Sequence, residues 1–298
     1  MKQVVFIFVF LAAVYAAAFS AGKTRWFQLV QMQTSTAEVV DLGFRPTPYP
    51  LQERPFVCVV IGYNNGAFVE KTLRSLFSQV YFTFRIVYID DASEDGSFAL
   101  VKDLVEASGS KDRVTLVQHT QHEGELASLC EGVRHCADEE IVVWIDGNDW
   151  LAHEWVLSSL NSYYADPDLW LTYGQYREFP DYRLGISAPF SDKDFRVHPF
   201  VASHLKTFYA GLFKRIDPVD FTYQGTFLAA GVDFAVMIPL LELAQHHFQY
   251  VPQVLYIANR QASLKEDEEL ALKAHRYLRS MASYDPLSHF AQSEVSHE

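Results

Sequence analysis

The sequence predicts an α/β protein with a mostly parallel sheet and helices on both faces, and three observations carry that prediction. Short runs rich in β-branched and aromatic residues alternate with helical periods of ten to fifteen residues. Three of those runs end in short polar loops, GYNN at 62–65, DDAS at 90–93 and DGND at 146–149. The hydrophobic content of 49% over 298 residues is enough for a substantial core, which sets disorder aside.

Taken in order, FVCVVI (56–61) reads as a buried strand and AFVEKTLRSLFSQ (67–79) as an amphipathic helix with Phe68, Leu73, Leu76 and Phe77 on one face. FRIVYI (84–89) is the next strand, followed by a helix at 93–108, a strand at 113–119, a helix at 123–136, a strand at 140–145 and a helix at 153–165. Strands joined through helices imply right-handed crossovers and parallel pairing. Ligands of such sheets bind beyond the carboxyl ends of the strands, so the three polar loops are expected on one rim. After residue 170 the alternation weakens. WLTYGQY (170–176) is followed by helical segments near 199–214 and 229–247 and by the apolar run YVPQVLYI (250–257). A surface helix is expected over 264–281, with Leu270, Ala274, Tyr277 and Leu278 as its inner stripe.

The ends divide from this domain by composition. Residues 4–21 carry no charge over 18 positions, the length of a short membrane-spanning helix and slightly long for a signal-peptide core. Residues 1–22 are therefore expected to be a signal anchor or a signal peptide, with Ala16-Ala17-Ala18 as the cleavage site in the second case. Lys23 and Arg25 outweigh Lys2 and favour an anchor whose folded domain stays cytoplasmic; secretion after cleavage is the alternative. Pro46, Pro48, Pro50 and Pro55 make 23–54 an extended linker, leaving 55–260 as the folded domain and 261–298 as a C-terminal helix and tail. A net charge of −13 argues against nucleic acid as a partner, because phosphate recognition needs basic surface. Cys58, Cys130 and Cys136 have no metal-ligand spacing and apolar neighbours, which suits reduced thiols and a reducing compartment.

Two acidic loops carry the candidate chemistry. Asp90 and Asp91 follow a strand and precede a helix start at Ser93. A carboxylate there can accept bonds from a base N–H or a ribose hydroxyl. Helix capping accounts for Ser93, Glu94 and Asp95 but leaves the Asp pair unexplained. Asp146 and Asp149, separated by Gly147 and Asn148, can turn toward one point and hold Mn2+ or Mg2+ against a diphosphate. The plain alternative is an Asx-turn with Asp149 capping the next helix.

In order and spacing, VCVVIGYNNGAFVEKTLRSLFSQ, VYIDDASEDGS and IVVWIDGNDWL resemble the nucleotide-diphospho-sugar transferase domain of the family 2 glycosyltransferases over residues 55–175. The resemblance implies a GT-A fold with a Rossmann-like sheet, a nucleotide-sugar donor (a UDP-sugar in the first instance), a divalent cation and inverting transfer. Position by position it implies that Tyr63 and Asn64 lie along the nucleoside, that Asp91 with Asp90 beside it binds the base, and that Asp146 and Asp149 hold cation and diphosphate. The acceptor is expected to be a glycan or lipid-linked hydroxyl.

The chain departs from the family where the turn is usually D-G-D-D or D-x-D-D: Asn148 replaces a carboxylate, which lowers charge while keeping an oxygen donor. Gly124-Glu125 and Ser128 stand where relatives often have a Gly-Ala pair and an Asn. An inverting transferase also needs a general base, and Asp233 in AAGVDFAVMIPLLELA is the best match, with Glu242 a weaker substitute and a helix-dipole carboxylate the plain alternative. Arg196, His204 and Lys206 are candidates to reach the diphosphate, and among them His204 is assigned to nucleotide-sugar binding. The pairs His119/His122 and His246/His247 read as structural or solvated, since neither has a third ligand at metal spacing. Two other readings remain at this point: an inactive nucleotide-sugar-binding relative, for which Asn148 and Glu125 speak, and a sugar-phosphate nucleotidyltransferase, whose basic Gly-rich loop GYNNGAFVEK lacks.

Overall fold

The structure, a computed structural model, describes residues 52–190, 194–261 and 268–289. The apolar run 4–21 and nearly all of the expected linker lie outside the described residues. Among those described, no helix is long and apolar enough to cross a membrane.

The first half follows the expected alternation: β1 (Phe56–Gly62), α1 (Val69–Phe77), β2 (Phe84–Asp90), α2 (Ser97–Ser108), β3 (Val114–Gln118), α3 (Glu125–Arg134), β4 (Ile141–Asp146), β5 (Trp150–Leu151) and α4 (Val156–Tyr163). The second half holds β6 (Leu171–Phe179), β7 (Arg183–Leu184), β8 (Lys206–Tyr209), the short α5 (Ala210–Phe213), β9 (Thr222–Tyr223), β10 (Thr226–Phe227), α6 (Val232–Ala244), β11 (Phe248–Asn259) and α7 (Glu268–Ser280). The main sheet runs β3-β2-β1-β4-β8-β6-β11-β5, with β7 paired to the end of β6. All seven residues of β1 are buried, as in a strand covered on both faces. α3 lies close against it: a Cβ on Gly132 would sit 2.4 Å from Val59 Cγ1, so only glycine allows this approach.

The second half departs from the expected parallel sheet. The pairs among β3, β2, β1 and β4 are parallel, but β8 runs antiparallel to both β4 and β6, β6 and β11 pair in parallel, and β5 is antiparallel to β11. The sheet is therefore mixed. No helix separates β7 from β8 among the described residues, so nothing turns the chain through a crossover before it re-enters the sheet. The segment expected to be helical at 199–214 contains β8, whose residues Lys206, Thr207, Phe208 and Tyr209 are all buried. A short run buried on every side has no period to tell strand from helix. The expected 229–247 helix is present as α6, where every residue except Asp233 is buried. In α7, Ala274 and Leu278 face inward as expected, whereas Leu270 is 43% exposed and leaves the inner stripe.

Candidate active site

The three polar loops meet at the carboxyl ends of β1, β2 and β4, and backbone bonds stitch them together. Asp91 N–H donates to Gly62 O at 2.8 Å, and Gly147 N–H donates to Ile61 O at 2.7 Å. Gly147 O accepts from the Asn65 amide and from Thr72 Oγ1 at 3.0 Å, while Asn65 Oδ1 accepts from the Tyr88 hydroxyl at 3.2 Å. A Cβ on Gly147 would lie 2.7 Å from Ile61 O and 2.8 Å from Gly62 Cα, so the acidic turn can close onto β1 only because residue 147 is glycine. Asn65 is the buried peg of this arrangement, and it escaped the sequence reading because Asn in a loop signals a turn before it signals a clamp.

The expected nucleoside residues are brought together, with a difference in their roles. Asn64 ties the first loop to the second: its N–H donates to Ser93 Oγ and its Oδ1 accepts from Glu94 N–H, both at 2.9 Å. Tyr63 stacks on His122 with ring centroids 4.0 Å apart. Asp91 is buried and its two oxygens accept from Glu123 N–H and Gly124 N–H at 2.8 Å and from His119 Nδ1 at 2.9 Å, with His122 Nδ1 at 2.9 Å from Oδ2. Burial alone would raise its pKa, but these donors and the nearby His122 outweigh it and hold the carboxyl below its ordinary range. The His119/His122 pair, read from sequence as structural, thus serves Asp91. Asp90 is fully buried; its Oδ2 accepts from Ser93 N–H at 3.1 Å and Gln118 Nε2 at 3.4 Å, and its Oδ1 has no partner among the described residues. The helix expected from Ser93 starts at Ser97, because the Asp90–Ser93 turn and the left-handed Gly96 come first.

At the end of β4, Asp146 and Asp149 do converge, and His204 joins them: one ligand atom from each lies within 4.8 Å of the others. Asp149 Oδ1 accepts from Asn259 N–H at 2.7 Å, and Asn148 uses its backbone carbonyl to accept from Asn259 Nδ2 at 3.2 Å. Burial, reinforced by the Asp146 charge, pushes the Asp149 pKa up to about 8. His204 stacks on Tyr256 at 4.8 Å and its Nδ1 has no hydrogen-bond partner among the described residues. Burial, with the Lys206 charge behind it, lowers its pKa to about 4, so the imidazole is neutral at pH 7. Two facing carboxylates, one destabilised as an anion, beside an unpaired neutral imidazole make a donor set that fits a divalent cation.

Next to this group Lys206, fully buried, holds Asp233 in an ion pair and lies 3.6 Å over the Trp144 ring. Burial disfavours the ammonium, yet the Asp233 and Asp146 charges more than offset that and keep its pKa above the ordinary value. Burial likewise raises Asp233, but the Lys206 ammonium prevails and keeps it ionised below the usual carboxylate range. Lys206, a candidate to reach the diphosphate, stands between the acidic turn and Asp233. Arg196 and Glu242 are elsewhere, locked in a buried two-point pair at 2.6 and 2.8 Å that removes both from the site. His247 is structural, stacked on Trp170 at 3.9 Å and bonded to Asp168 O.

With this geometry in hand, comparison with known proteins is decisive. The glycosyl transferase family 2 pattern matches residues 57–217, more than half of the chain. The chain belongs to glycosyl transferase family 2. That membership argues against the nucleotidyltransferase reading. Its sequence is 31% identical over 96 residues to "Putative glycosyltransferase EpsE" of Bacillus subtilis (strain 168), a match spanning 32% of this chain and 34% of EpsE. Among solved structures, S. aureus TarS 1–349 in complex with UDP-GlcNAc superposes with a TM-score of 0.56 at 16% identity, over 75% of this chain and 65% of that one. The mannosyltransferase PcManGT from Pyrobaculum calidifontis, in complex with GDP-Man and Mn2+, gives 0.53 at 19% identity over 92% and 76%. The matched part of this chain thus spans about a third of EpsE and just under two thirds of the TarS fragment. At these identities the two structures establish the fold alone, and that fold is the α/β GT-A type with a mixed sheet.

Proposed function

We propose that this family 2 glycosyltransferase moves a sugar from a nucleotide-diphosphate donor, a UDP-sugar in the first instance, to a hydroxyl of a glycan or lipid-linked acceptor with inversion at the anomeric carbon. The observation that carries this reading is the convergence of Asp146, Asp149 and His204 within 4.8 Å at the rim, beside the Lys206–Asp233 pair. That neighbours were captured with UDP-GlcNAc and with GDP-Man and Mn2+ supports a nucleotide-sugar donor in the same rim.

Asp146, Asp149 and His204 would hold a divalent cation, whose positive charge offsets that building on the departing diphosphate. Among Mn2+ and Mg2+, the imidazole nitrogen in the set favours Mn2+, since Mg2+ is bound through oxygen. Tyr63 and Asn64 line the nucleoside end, while Asp91 acts through the loop at 119–124 that it holds in place. Asp233 accepts the proton of the acceptor hydroxyl as that oxygen bonds to the anomeric carbon and the nucleotide diphosphate leaves from the opposite face. Lys206 keeps Asp233 ionised and oriented. Its low basicity implies late proton transfer, once bond formation has acidified the hydroxyl. Residues 4–21 tether the domain to a membrane, with the domain on the cytoplasmic side.

Isothermal titration of the full chain with UDP, with and without Mn2+, followed by a donor-hydrolysis assay, tests this reading. Metal-dependent UDP binding with turnover is expected. Absence of UDP binding in both conditions would overturn the donor assignment, and binding indifferent to Mn2+ would overturn the metal site.

A further inference from the structure

The domain carries an apolar face far from the rim that the glycosyl-transfer site does not use. Phe82 is 76% exposed, Trp155 52% and Val80 43%. They are neighbours: Val80 N–H donates to Glu154 O at 2.8 Å and Ser158 Oγ donates to Val80 O at 2.7 Å, which places Val80 beside the start of α4 where Trp155 stands. Phe82 is two residues on, just before β2. Arg113 lies over the Phe84 ring at 5.7 Å, giving this end of a strongly acidic chain a local cation. The chain also enters the domain here. Glu53 accepts from Thr83 N–H at 2.9 Å, and Arg54 O accepts from the Tyr81 hydroxyl at 2.8 Å.

We propose that the face bearing Val80, Phe82 and Trp155 rests on the lipid interface of the bilayer to which residues 4–21 tether the chain. The inference builds on the membrane reading of that segment and adds a second contact. Because the tether and the domain belong to one chain, the bilayer is at high effective concentration for the domain and a weak apolar contact is enough. An exposed tryptophan, a phenylalanine and an adjacent arginine are the side chains that suit an interface, where apolar rings meet acyl chains and a cation meets headgroups. Since β2 has seven residues, its rim end with Asp90 and Asp91 lies about 20 Å from the Phe82 end, so docking leaves the site clear of the lipid.

The test uses the full chain with vesicles of phosphatidylcholine and phosphatidylglycerol, in which the phosphatidylcholine carries brominated acyl chains. Among the described tryptophans, Trp144, Trp150 and Trp170 are buried, so the difference in quenching between the unaltered chain and Trp155→Phe reports Trp155. Expected is flotation of both proteins with clear bromine quenching of the Trp155 component, and loss of that component's quenching in Phe82→Asp while flotation and thermal midpoint persist. Flotation with no quenching of Trp155 overturns the docking face and leaves the tether intact, as does shielding of Trp155 in a dimer of the chain. Failure of the full chain to float overturns the tether and the docking face together.

Discussion

At the proposed cation site, the raised pKa of Asp149 would make Mn2+ binding a proton-release reaction with a predictable pH course. Burial and the facing Asp146 charge put this carboxyl at about 8, and only its ionised form is a ligand. His204, the imidazole of the set, sits at about 4 and is already neutral throughout the useful range, so it adds nothing to this pH course. Apparent Mn2+ affinity should then rise about 50-fold from pH 6 to pH 8, and about fivefold of that should fall between pH 7 and 8. A ligand histidine of ordinary pKa would produce only about a 1.3-fold gain over that last unit, so the interval separates the two explanations. Titration of the free Mn2+ paramagnetic resonance signal at pH 6, 7 and 8 supplies the measurement, with about one proton released per ion at pH 7. A flat affinity between pH 7 and 8 would refute the placement of Asp149 against Asp146 in a buried pair. The same shift has a sign for stability without metal. The folded state keeps a proton on Asp149 that the unfolded chain has lost, so this group's contribution declines as pH rises from about 4 to about 8.

Other consequences are independent of that titration. Asp233→Asn should leave UDP binding within about twofold and abolish transfer, measured by calorimetry and product formation on one preparation; near-full transfer would disqualify Asp233 as the base. Asp91→Ala leaves the Glu123 and Gly124 amides and two imidazoles without an acceptor, and should lower unfolding free energy by about 2–4 kcal/mol in urea titration. Because the Asp91 pKa is depressed, its contribution is full above the ordinary carboxylate range and is lost as pH falls through its lowered folded value. Arg196→Met strands the buried Glu242 carboxylate and should cost about 3–5 kcal/mol, whereas adding Glu242→Leu should recover most of the loss; equal costs would mean that the pair matters through packing alone.

Legibility in the sequence followed the physics of each half. The strands β1, β2 and β4 are apolar runs that stop abruptly at Gly62, Asp90 and Asp146, and the helices between them have one wet face, so both period and boundary were readable. In the second half, the two elements that flank the site, β8 and α6, are buried on nearly every side. α6 was long enough to read as a helix, but β8 is four buried residues with no period to show its type, and the reversed strand order leaves no local trace. The site divides in the same way. Asp146 and Asp149 are adjacent in sequence and announce themselves, whereas His204, Lys206 and Asn259 reach them only through β8 and β11. Asn65 and His122 were in view as residues, but a carbonyl or carboxylate to be held cannot be read from the residue that holds it.

The substitution of Asn148 for a carboxylate takes on a different meaning once β8 is in place. In the sequence it looked like a weakened metal turn, with one charge missing from a row of acids. In the folded chain residue 148 contributes its backbone carbonyl to Asn259, and the third donor arrives from across the sheet as the His204 imidazole. A third carboxylate at this turn would sharpen a problem the site already has. Two acids in a buried setting have driven Asp149 to about 8, and another anion would raise it further and deepen the protonation that competes with metal. A neutral imidazole adds a ligand without adding that repulsion. The Lys206 ammonium cannot serve as a ligand, but it partly balances the Asp146 and Asp233 charges from the next strand. On the proposed cation site, the acidic turn would therefore be complete only in company with β8, the histidine at 204 standing in for the carboxylate missing at 148.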